Sequence, residues 1–364
     1  MPSSIPDDLR QRWPTPRAPR EVVFVGAGGI VNDAHLPAYR ALDLPIAGVF
    51  DEDPGRAQAT CETNALPSAF ESLAEACALE DVIFDIAVPP GAVFDVIDQL
   101  PDRAACLIQK PLGLGLEDAT RIRDRANEKN LVAAVNLQLR FSPAMLALHD
   151  LVERGLLGRL VDCEVQVHCK TPWQLWPFLQ ELEHVEVAMH SIHYIDCIRS
   201  FLGDPAGVWA RTVRHPDVEQ LHSSKTSAIL EYGDELRCSL STNHHHAHGQ
   251  RHEVSNLRLE GTDGAAVVQL GVNLDYPKGR PDSLEIALKG SEWTSVELQG
   301  SWFPDAFRGP MANLQRFVAG DDERLWTSID DAWNTMAVVE ACYESSARGM
   351  TPIPAARSTE GDAS

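Results

Sequence analysis

Five short apolar runs, separated by stretches that suit helices, constrain the first part of the chain most strongly. Short apolar runs bounded by turn residues are typical of strands buried on both faces. Strands that alternate with helices form a parallel, doubly wound sheet, so we predict an N-terminal α/β domain with this architecture. The predicted strands cover residues 21–25, 46–51, 82–88, 105–108 and 131–135, and the predicted helices cover residues 34–42, 56–64, 70–77, 92–99 and 118–129.

The pattern changes after about residue 136, where apolar and polar residues alternate over longer runs. This period of two is typical of strands with one buried face, and glycine turns between the runs favour antiparallel hairpins. We therefore predict a C-terminal α+β domain whose mostly antiparallel sheet leaves one face open for a partner. Its predicted strands cover residues 161–169, 208–213, 227–232, 236–241, 254–260 and 265–270, and its predicted helices cover residues 143–153, 183–202 and 328–348.

These patterns divide the chain into four expected parts. Residues 1–20 are a loose N-terminal extension, residues 21–136 are the doubly wound domain, residues 137–354 are the second domain, and residues 355–364 are a flexible tail.

Charge and cysteine usage exclude several classes of protein. The 364 residues carry a net charge of −22, which repels nucleic acid and anionic membrane surfaces. None of the eight cysteines forms a C-x-x-C pair, and the first twenty residues lack the apolar core of a secretory signal. No apolar run reaches the roughly 18 residues of a membrane span. We expect a cytoplasmic protein with reduced thiols.

A glycine-rich turn follows the first predicted strand and opens a helix. It comprises Gly26, Ala27, Gly28, Gly29 and Ile30. Such a turn lets backbone N–H groups approach a pyrophosphate, although Val31 breaks the third position of the full fingerprint. The alternative is a plain turn between a strand and a helix.

An acidic residue supports the nucleotide interpretation. Asp51 ends the second predicted strand, where a carboxylate accepts hydrogen bonds from ribose hydroxyls. Because a carboxylate repels a 2′-phosphate, NAD is favoured over NADP. Pro89 ends the third strand, and Gln109 and Lys110 end the fourth, where open α/β sheets bind ligands. Lys110 is a candidate to polarise a substrate oxygen, and the alternative is a solvated lysine.

The predicted helix over 183–202 carries a polar stripe. At 100° per residue, Glu186, His190, His193 and Cys197 share one face. This set suits acid–base chemistry, with interfacial histidines as the alternative. We predict no metal, because a zinc site normally needs further ligands from elsewhere.

A second histidine cluster, His244, His245, His246 and His248, ends a predicted strand. A chelating tract is the alternative, but alternate strand residues face opposite sides, so His244, His246 and His248 cannot converge with His245 on one ion. We interpret the tract as a loop near the substrate or at a subunit interface.

The chain resembles the Gfo/Idh/MocA family, the relatives of glucose–fructose oxidoreductase and inositol dehydrogenase, from about residue 21 to 354. The resemblance rests on the glycine turn with His35-Leu36-Pro37, Asp51-Glu52-Asp53-Pro54, Val88-Pro89-Pro90, Gln109-Lys110-Pro111, Leu139-Arg140-Phe141-Ser142-Pro143, His193-Tyr194-Ile195-Asp196, Asp330-Asp331-Ala332 and Val338-Val339-Glu340-Ala341. It implies a Rossmann domain, an open-faced sheet that builds homodimers or homotetramers, and NAD(P)-linked chemistry on sugars, cyclitols and their derivatives.

The resemblance also implies roles for single residues. The catalytic lysine falls on Lys110 and the active-site histidine on His193, whereas the family's Glu before the lysine is Gln109 and its aspartate falls on Met189. His190 is a candidate to replace that carboxylate, with Glu186 orienting it.

These residues predict an NAD-dependent dehydrogenase that acts on the CH–OH group of a small polyol or sugar. Lys110 polarises the oxygen, His193 is the general base, and His190 or Glu186 assists. Arg140 is a further candidate for substrate binding, and Trp173 and Trp176 are candidates for stacking on a sugar face, with core packing as the equal alternative. Two alternatives stay open: a redox-neutral enzyme that retains NAD for isomerisation, elimination or glycoside cleavage, and a non-catalytic NAD-binding regulator.

Overall fold

The computed structural model describes residues 5–276 and 278–350. Its first sheet contains five strands: β1 (Val22–Val25), β2 (Ile46–Phe50), β3 (Ile83–Ile86), β4 (Ala105–Gln109) and β5 (Val132–Asn136). All are parallel, in the order β2-β1-β3-β4-β5. The predicted doubly wound sheet is therefore confirmed.

The crossover helices of this sheet begin where the local sequence favours them. A π-helical turn, Val31–His35, continues directly from the glycine turn into α1 (Leu36–Arg40), so this helix starts earlier than predicted. The side chain of Asp53 caps the next helix by accepting from the N–H groups of Gly55 and Arg56. The remaining crossover helices are α2 (Pro54–Asn64), α3 (Leu73–Cys77), α4 (Val93–Gln99) and α5 (Leu116–Glu128).

The second sheet has eight strands and is antiparallel except for one pair. Its strands are β6 (Leu160–His168), β7 (Val208–Val213), β8 (Lys225–Glu231), β9 (Arg237–Asn243), β10 (Val254–Gly261), β11 (Gly264–Gln269), β12 (Ser283–Leu288) and β13 (Thr294–Val296). They lie in the order β13-β12-β11-β10-β6-β9-β8-β7, with β6 and β9 parallel. This confirms the mostly antiparallel domain, although the sequence analysis missed β12 and the three-residue β13.

One face of this sheet is covered and the other is open over part of its area. The side chains of Val165, Leu240 and Leu257 are buried on the covered side. Four helices belong to the second half of the chain: α6 (Pro143–Glu153), α7 (Ile192–Leu202), α8 (Arg308–Ala319) and α9 (Ile329–Arg348). Helix α9 packs against β7, α5 and α7. Helix α8 was not predicted from the sequence. Trp209 of β7 and Ile229 of β8 are opposite each other in register and are 60% and 52% exposed.

The helix predicted over 183–202 is shorter and irregular. It begins with a π-helical turn, Val187–Ser191, and continues as α7. A π-helical turn adds a residue to the turn, so side chains five apart come together instead of those four apart. The hydroxyl of Ser191 accordingly donates to the carboxylate of Glu186, at 2.6 Å. The even polar stripe expected from 100° per residue is therefore wrong at its N-terminal end.

The N-terminal segment is ordered against the second half of the molecule. The backbone N–H of Arg10 donates to Asp150, and the indole N–H of Trp13 donates to Asp322, at 3.0 and 2.8 Å. The Trp13 ring also lies edge-on to Phe141 and Trp326. The expected loose extension is thus wrong for residues 5–20, because this segment has apolar and polar partners of its own. The expected flexible tail, 355–364, lies outside the described residues.

Two further observations concern residues 5–276 and 278–350. In that part of the chain, no helix combines the length and apolar character needed to cross a bilayer. The eight cysteines carry free thiols, and seven of them are buried.

Candidate active site

The glycine turn after β1 is open to close approach by a ligand. Gly26 has a φ of +105°, and a Cβ there would lie 2.4 Å from the carbonyl oxygen of Ala87, so only glycine fits. A Cβ on Gly28 would meet no heavy atom within 4 Å. Gly29 and Ile30 then begin the helix, whose first N–H groups face outward from the strand end. This turn has the shape and the donors for a pyrophosphate.

Asp51 lies beside the glycine turn and is fixed by it. Its Oδ2 accepts from the N–H of Ala27 at 2.8 Å, and its Oδ1 accepts from the N–H of Asp53 at 2.9 Å. The guanidinium of Arg56, about half exposed, is 3.3 Å from the same carboxylate. The edge of β2 therefore presents an acid held by two backbone N–H groups, with a half-exposed cation next to it.

A buried polar chain holds Gln109 at the end of β4. Its side-chain oxygen accepts from Asn136 at 2.8 Å, Asn136 lies 3.2 Å from Nε2 of His35, and Nδ1 of His35 lies 2.7 Å from Asp85. Tyr39 also donates to Asp85, and burial raises the pKa of this phenol well above its ordinary value. The sequence analysis missed this chain. Its signal was an acid inside the apolar strand β3, since a buried carboxylate requires partners.

Lys110 and Pro89 follow neighbouring strands at the same edge of the sheet. The Lys110 ammonium donates to the carbonyl oxygen of Met189 at 2.9 Å, and burial lowers the pKa of Lys110 to about 8. Pro89 begins the turn after β3, and its carbonyl oxygen accepts from the N–H of Ala92. Because β1, β3 and β4 are adjacent, the glycine turn, Pro89 and Lys110 share the carboxyl edge where doubly wound sheets bind ligands.

A cavity opens where this edge meets the second half of the molecule. Its volume is about 550 Å³. Residues from both halves line it, among them Pro90, Pro111, Leu114, Arg121, His184 and Met189. The cavity touches Pro111, which follows Lys110, and Met189, whose carbonyl oxygen accepts from Lys110, but Lys110, His190 and His193 do not line it. Its volume suits a small molecule.

Two histidines extend from the π-helical turn and α7 toward Lys110. His193 is 6% exposed and lies edge-on to Trp302, with ring centroids 5.3 Å apart. Burial, and then the charge of Lys110, lowers the pKa of His193 well below its ordinary value. Burial and the charges of His244 and Lys110 do the same for His190. Both imidazoles are therefore neutral near pH 7, the form that accepts a proton.

Glu186 is placed with His244 instead of orienting His190. It has no exposed surface; its carboxylate accepts from Ser191 and Thr226, and one oxygen lies 3.3 Å from Nε2 of His244. Burial opposes ionisation of Glu186, but His244 lowers the pKa of the carboxyl below its ordinary value. The expected contact with His190 and with substrate is thus wrong, because the π-helical turn and the fold direct Glu186 into the interior.

Arg140 is likewise committed to the interior. It makes a two-pronged contact with Asp196, both bonds 2.6 Å, and lies 2.7 Å from Asp331. A third bond goes to the carbonyl oxygen of Trp326. With 3% of its surface exposed, Arg140 ties α7 to α9, and the expected substrate contact is wrong.

The two tryptophans after β6 behave as packing residues. Trp173 is 5% exposed and belongs to a small apolar cluster with Leu179 and Val185. Its ring packs edge-on against that of His190, with ring centroids 4.9 Å apart, and so restricts the orientation of this histidine. Trp176 is partly buried against Tyr276.

The histidine tract divides between two sides, as strand alternation predicts. His244 is inside with Glu186, whereas His245 lies with His215 and Asp217 in a group whose ligand atoms are all within 4.8 Å. Burial, and then the charge of His215, lowers the pKa of His245, and Lys170 and Lys225 add to this effect. Three ligand atoms, one of them from an exposed carboxylate, fall short of the four ligands of a structural zinc site, and we assign no metal to the group.

The carboxyl edge of the first sheet has a glycine turn of the kind that binds dinucleotides, and Lys110, His190 and His193 lie at the same edge. This combination is typical of two-domain oxidoreductases. Residues 20–137 match the family model described as an oxidoreductase family with an NAD-binding Rossmann fold, and residues 145–267 match the GFO/IDH/MocA C-terminal domain. The chain belongs to the Gfo/Idh/MocA family.

Similar proteins cover nearly the whole chain. D-xylose 1-dehydrogenase (NADP(+)) 2 of Haloferax volcanii is 24% identical over 336 residues, 90% of this chain and 97% of the relative. An oxidoreductase from Agrobacterium radiobacter in complex with NAD+, L-tartaric acid and magnesium has a TM-score of 0.75 at 21% identity, covering 92% of this chain and 98% of that one. Levoglucosan dehydrogenase in complex with NADH and levoglucosan has a TM-score of 0.76 at 18% identity, covering 90% and 97%. These structural likenesses support the fold.

Proposed function

We propose that this protein is an NAD-dependent dehydrogenase acting on a hydroxyl of a sugar, cyclitol or sugar acid. The proposal rests mainly on one contact: Lys110, at the carboxyl edge of the first sheet, donates a hydrogen bond to the π-helical turn Val187–Ser191. This turn carries His190 and ends two residues before His193. The sugar dehydrogenases among its relatives support the substrate class.

The residues of the glycine turn and its neighbours would hold the cofactor. Gly26, Gly28, Gly29 and Ile30 supply the turn and the helix start, and Asp51, Pro89 and Gln109 flank it. Bound NAD would accept the hydride from the substrate carbon.

Lys110 and His193 would handle the oxygen and its proton. The Lys110 ammonium hydrogen-bonds the substrate oxygen and stabilises its developing negative charge. The neutral His193 imidazole takes the hydroxyl proton as the C–H bond breaks, so one proton and one hydride leave the substrate together. His190 lies next to this pair and assists in binding the hydroxyl.

The choice of NAD over NADP rests on Asp51. Its carboxylate is close to where an adenosine ribose is bound in this fold, and its charge opposes a 2′-phosphate. Arg56 is the group that could favour NADP. Asp51→Asn removes the charge and keeps the acceptor oxygen, so the ratio of kcat/KM for NAD to that for NADP should fall about tenfold. Asp53→Asn is the matched control.

The open face at Trp209 and Ile229 supports a homodimer or homotetramer. An exposed tryptophan and isoleucine opposite each other on a sheet are the kind of apolar surface that a second copy covers.

One observation favours a second candidate. Met189 occupies the position of the family aspartate, so a carboxylate is missing beside Lys110 and His193. A redox-neutral enzyme that retains NAD would show substrate conversion without net NADH. The test is nicotinamide absorbance with NAD and a panel of sugars, cyclitols and sugar acids: NADH formed with one substrate supports the dehydrogenase, and conversion without NADH supports the redox-neutral enzyme.

A further inference from the structure

The histidine of the 244–248 tract that faces inward is a strong candidate for a role that the reaction outlined above does not use. His244 follows β9 and is 2% exposed. Its backbone is fixed on both sides, since its N–H donates to Ser224 and its carbonyl oxygen accepts from Thr171. The ring is fixed too, because Nδ1 lies 3.0 Å from the hydroxyl of Thr171 and Nε2 lies 3.3 Å from Glu186.

Glu186 is equally constrained and faces this ring from the start of the π-helical turn. Two hydroxyls, those of Ser191 and Thr226, donate to its carboxylate, and its own N–H donates to Ser223. A carboxylate with two donors and an imidazole beside it is stabilised in its charged form. Nε2 of His244 lies 3.3 Å from this carboxylate without the geometry of a hydrogen bond, so the two residues form a buried ion pair when the ring is protonated.

This ion pair lies directly under His190. The rings of His244 and His190 are stacked, with centroids 4.5 Å apart and planes 24° apart, and Trp173 meets His190 edge-on. His190 is thus held between an aromatic edge and a charged ring, and its orientation follows from theirs. Its Nε2 atom is buried and has no hydrogen-bond partner among the described residues.

We propose that Glu186 and His244 act as positioning residues, which fix the ring of His190 and keep it uncharged beside Lys110 and His193. The proposal rests on the proposed function of that site. The titratable groups that face His190 are His244 from the second sheet and Lys110 from the first, with the neutral His193 on its own helix. Both His244 and Lys110 present positive charge, so protonation of His190 is opposed from two sides.

The ionisation of the pair agrees with this role. Burial opposes protonation of His244, but Cys169, whose Sγ lies 3.6 Å from Nδ1 of the ring, and the Glu186 carboxylate raise its pKa to about 10. Burying two charges is costly, and apolar residues of similar volume would be at least as stable. A pair maintained beside an active site is therefore better explained by what its charge does to His190 than by packing.

The pH dependence of kcat/KM separates positioning from a purely structural role. In His244→Gln the positive charge beside His190 is lost, so the pKa of His190 rises. Because His190 helps to bind the hydroxyl that His193 deprotonates, its protonation at a higher pH moves the acidic limb of kcat/KM up by about half a unit or more, as expected for one charge at this range. His245→Gln, a change in the same tract on the other side of the strand, should leave the profile unmoved. Lower activity in His244→Gln with an unmoved acidic limb would overturn the proposal.

A second measurement does not depend on turnover. NMR of protein labelled with ¹⁵N-histidine, assigned with the two glutamine variants, reports the charge on His244. We expect an imidazolium at pH 8 in the wild type and a neutral ring in Glu186→Gln. A neutral His244 in the wild type would contradict the inference, whereas an intact imidazolium in a protein that forms no NADH would contradict only the dehydrogenase assignment.

Discussion

The ammonium of Lys110 donates a 2.9 Å hydrogen bond to the carbonyl oxygen of Met189, which connects the carboxyl edge of the first sheet to the π-helical turn that carries His190. The bond directs the Lys110 side chain toward the residues that precede His193 and holds it in a partly buried position. The lysine therefore has a lowered pKa and a fixed direction, two properties expected of a group that acts on a substrate oxygen.

Replacing Lys110 tests its role in the reaction. Lys110→Met removes the buried charge, and we expect turnover to fall by about a thousandfold because the developing charge on oxygen loses its donor. NAD affinity, measured by fluorescence titration, should change little. Lys289→Met, at a lysine that is 74% exposed, is the matched control and should keep full turnover. Equal turnover in both variants would remove Lys110 from the mechanism.

The lowered pKa of Lys110 predicts an alkaline limit. The ammonium is present below about pH 8 and is lost as the pH rises through that value, so kcat/KM should fall above it. Lys110→Arg keeps a charge over the whole range and should lose this limb, at reduced overall activity. A limb that persists unchanged in Lys110→Arg would assign it to another group.

Gly28 offers a test of the cofactor site that does not disturb the fold. A side chain there meets open space, so Gly28→Val should leave the melting temperature unchanged while weakening NAD binding by about tenfold or more, because the valine occupies the room needed by the pyrophosphate. Gly207, where a Cβ also meets nothing, provides the control Gly207→Val. Unchanged NAD affinity in Gly28→Val would place the cofactor elsewhere.

The buried pair predicts a pH dependence of stability. The pKa of His244 is raised to about 10 in the folded protein, so folded His244 keeps its proton between pH 6.5 and 8 while the unfolded chain releases it. The free energy of unfolding should therefore fall with rising pH in this window, by up to about 1.4 kcal/mol per unit from this group. Urea unfolding of wild type and His244→Gln measures the difference. A difference that stays constant from pH 6.5 to 8 would contradict the assignment.

Arg140 predicts an effect on stability and none on substrate. Arg140→Met leaves Asp196 without its two-pronged partner and leaves Asp331 with Arg199 alone, and we expect the free energy of unfolding to fall by about 3–5 kcal/mol. The matched change Arg237→Met breaks an exposed pair and should cost about 1 kcal/mol or less. Unchanged stability together with a raised KM would restore Arg140 to the substrate site.

The predictable parts of the molecule are those that local sequence determines. The apolar runs at residues 22–25 and 105–109 give buried strands, and the glycines after the first run give the turn, because each depends on neighbouring residues alone. Alternation along a strand also predicted that His244 and His245 point to opposite sides. The partners of these side chains were not predictable, since Glu186 and His244 are 58 positions apart in the chain and Arg140 and Asp196 are 56 apart.

The π-helical turn explains the largest error within the site. Its extra residue per turn pairs Glu186 with Ser191 and frees His190 to stack on His244. Regular helical geometry pairs residues four apart, so no pattern based on it finds this arrangement.

The most direct test of the central claim follows the hydrogen on the substrate carbon. A sugar or cyclitol that reacts, deuterated at its hydroxyl-bearing carbons, is incubated with wild-type protein and NAD, and the nicotinamide is analysed by mass spectrometry. Our account predicts NADH that carries one deuterium, and almost none formed by Lys110→Met. Converted substrate that retains its deuterium, with no labelled NADH, would contradict a dehydrogenase.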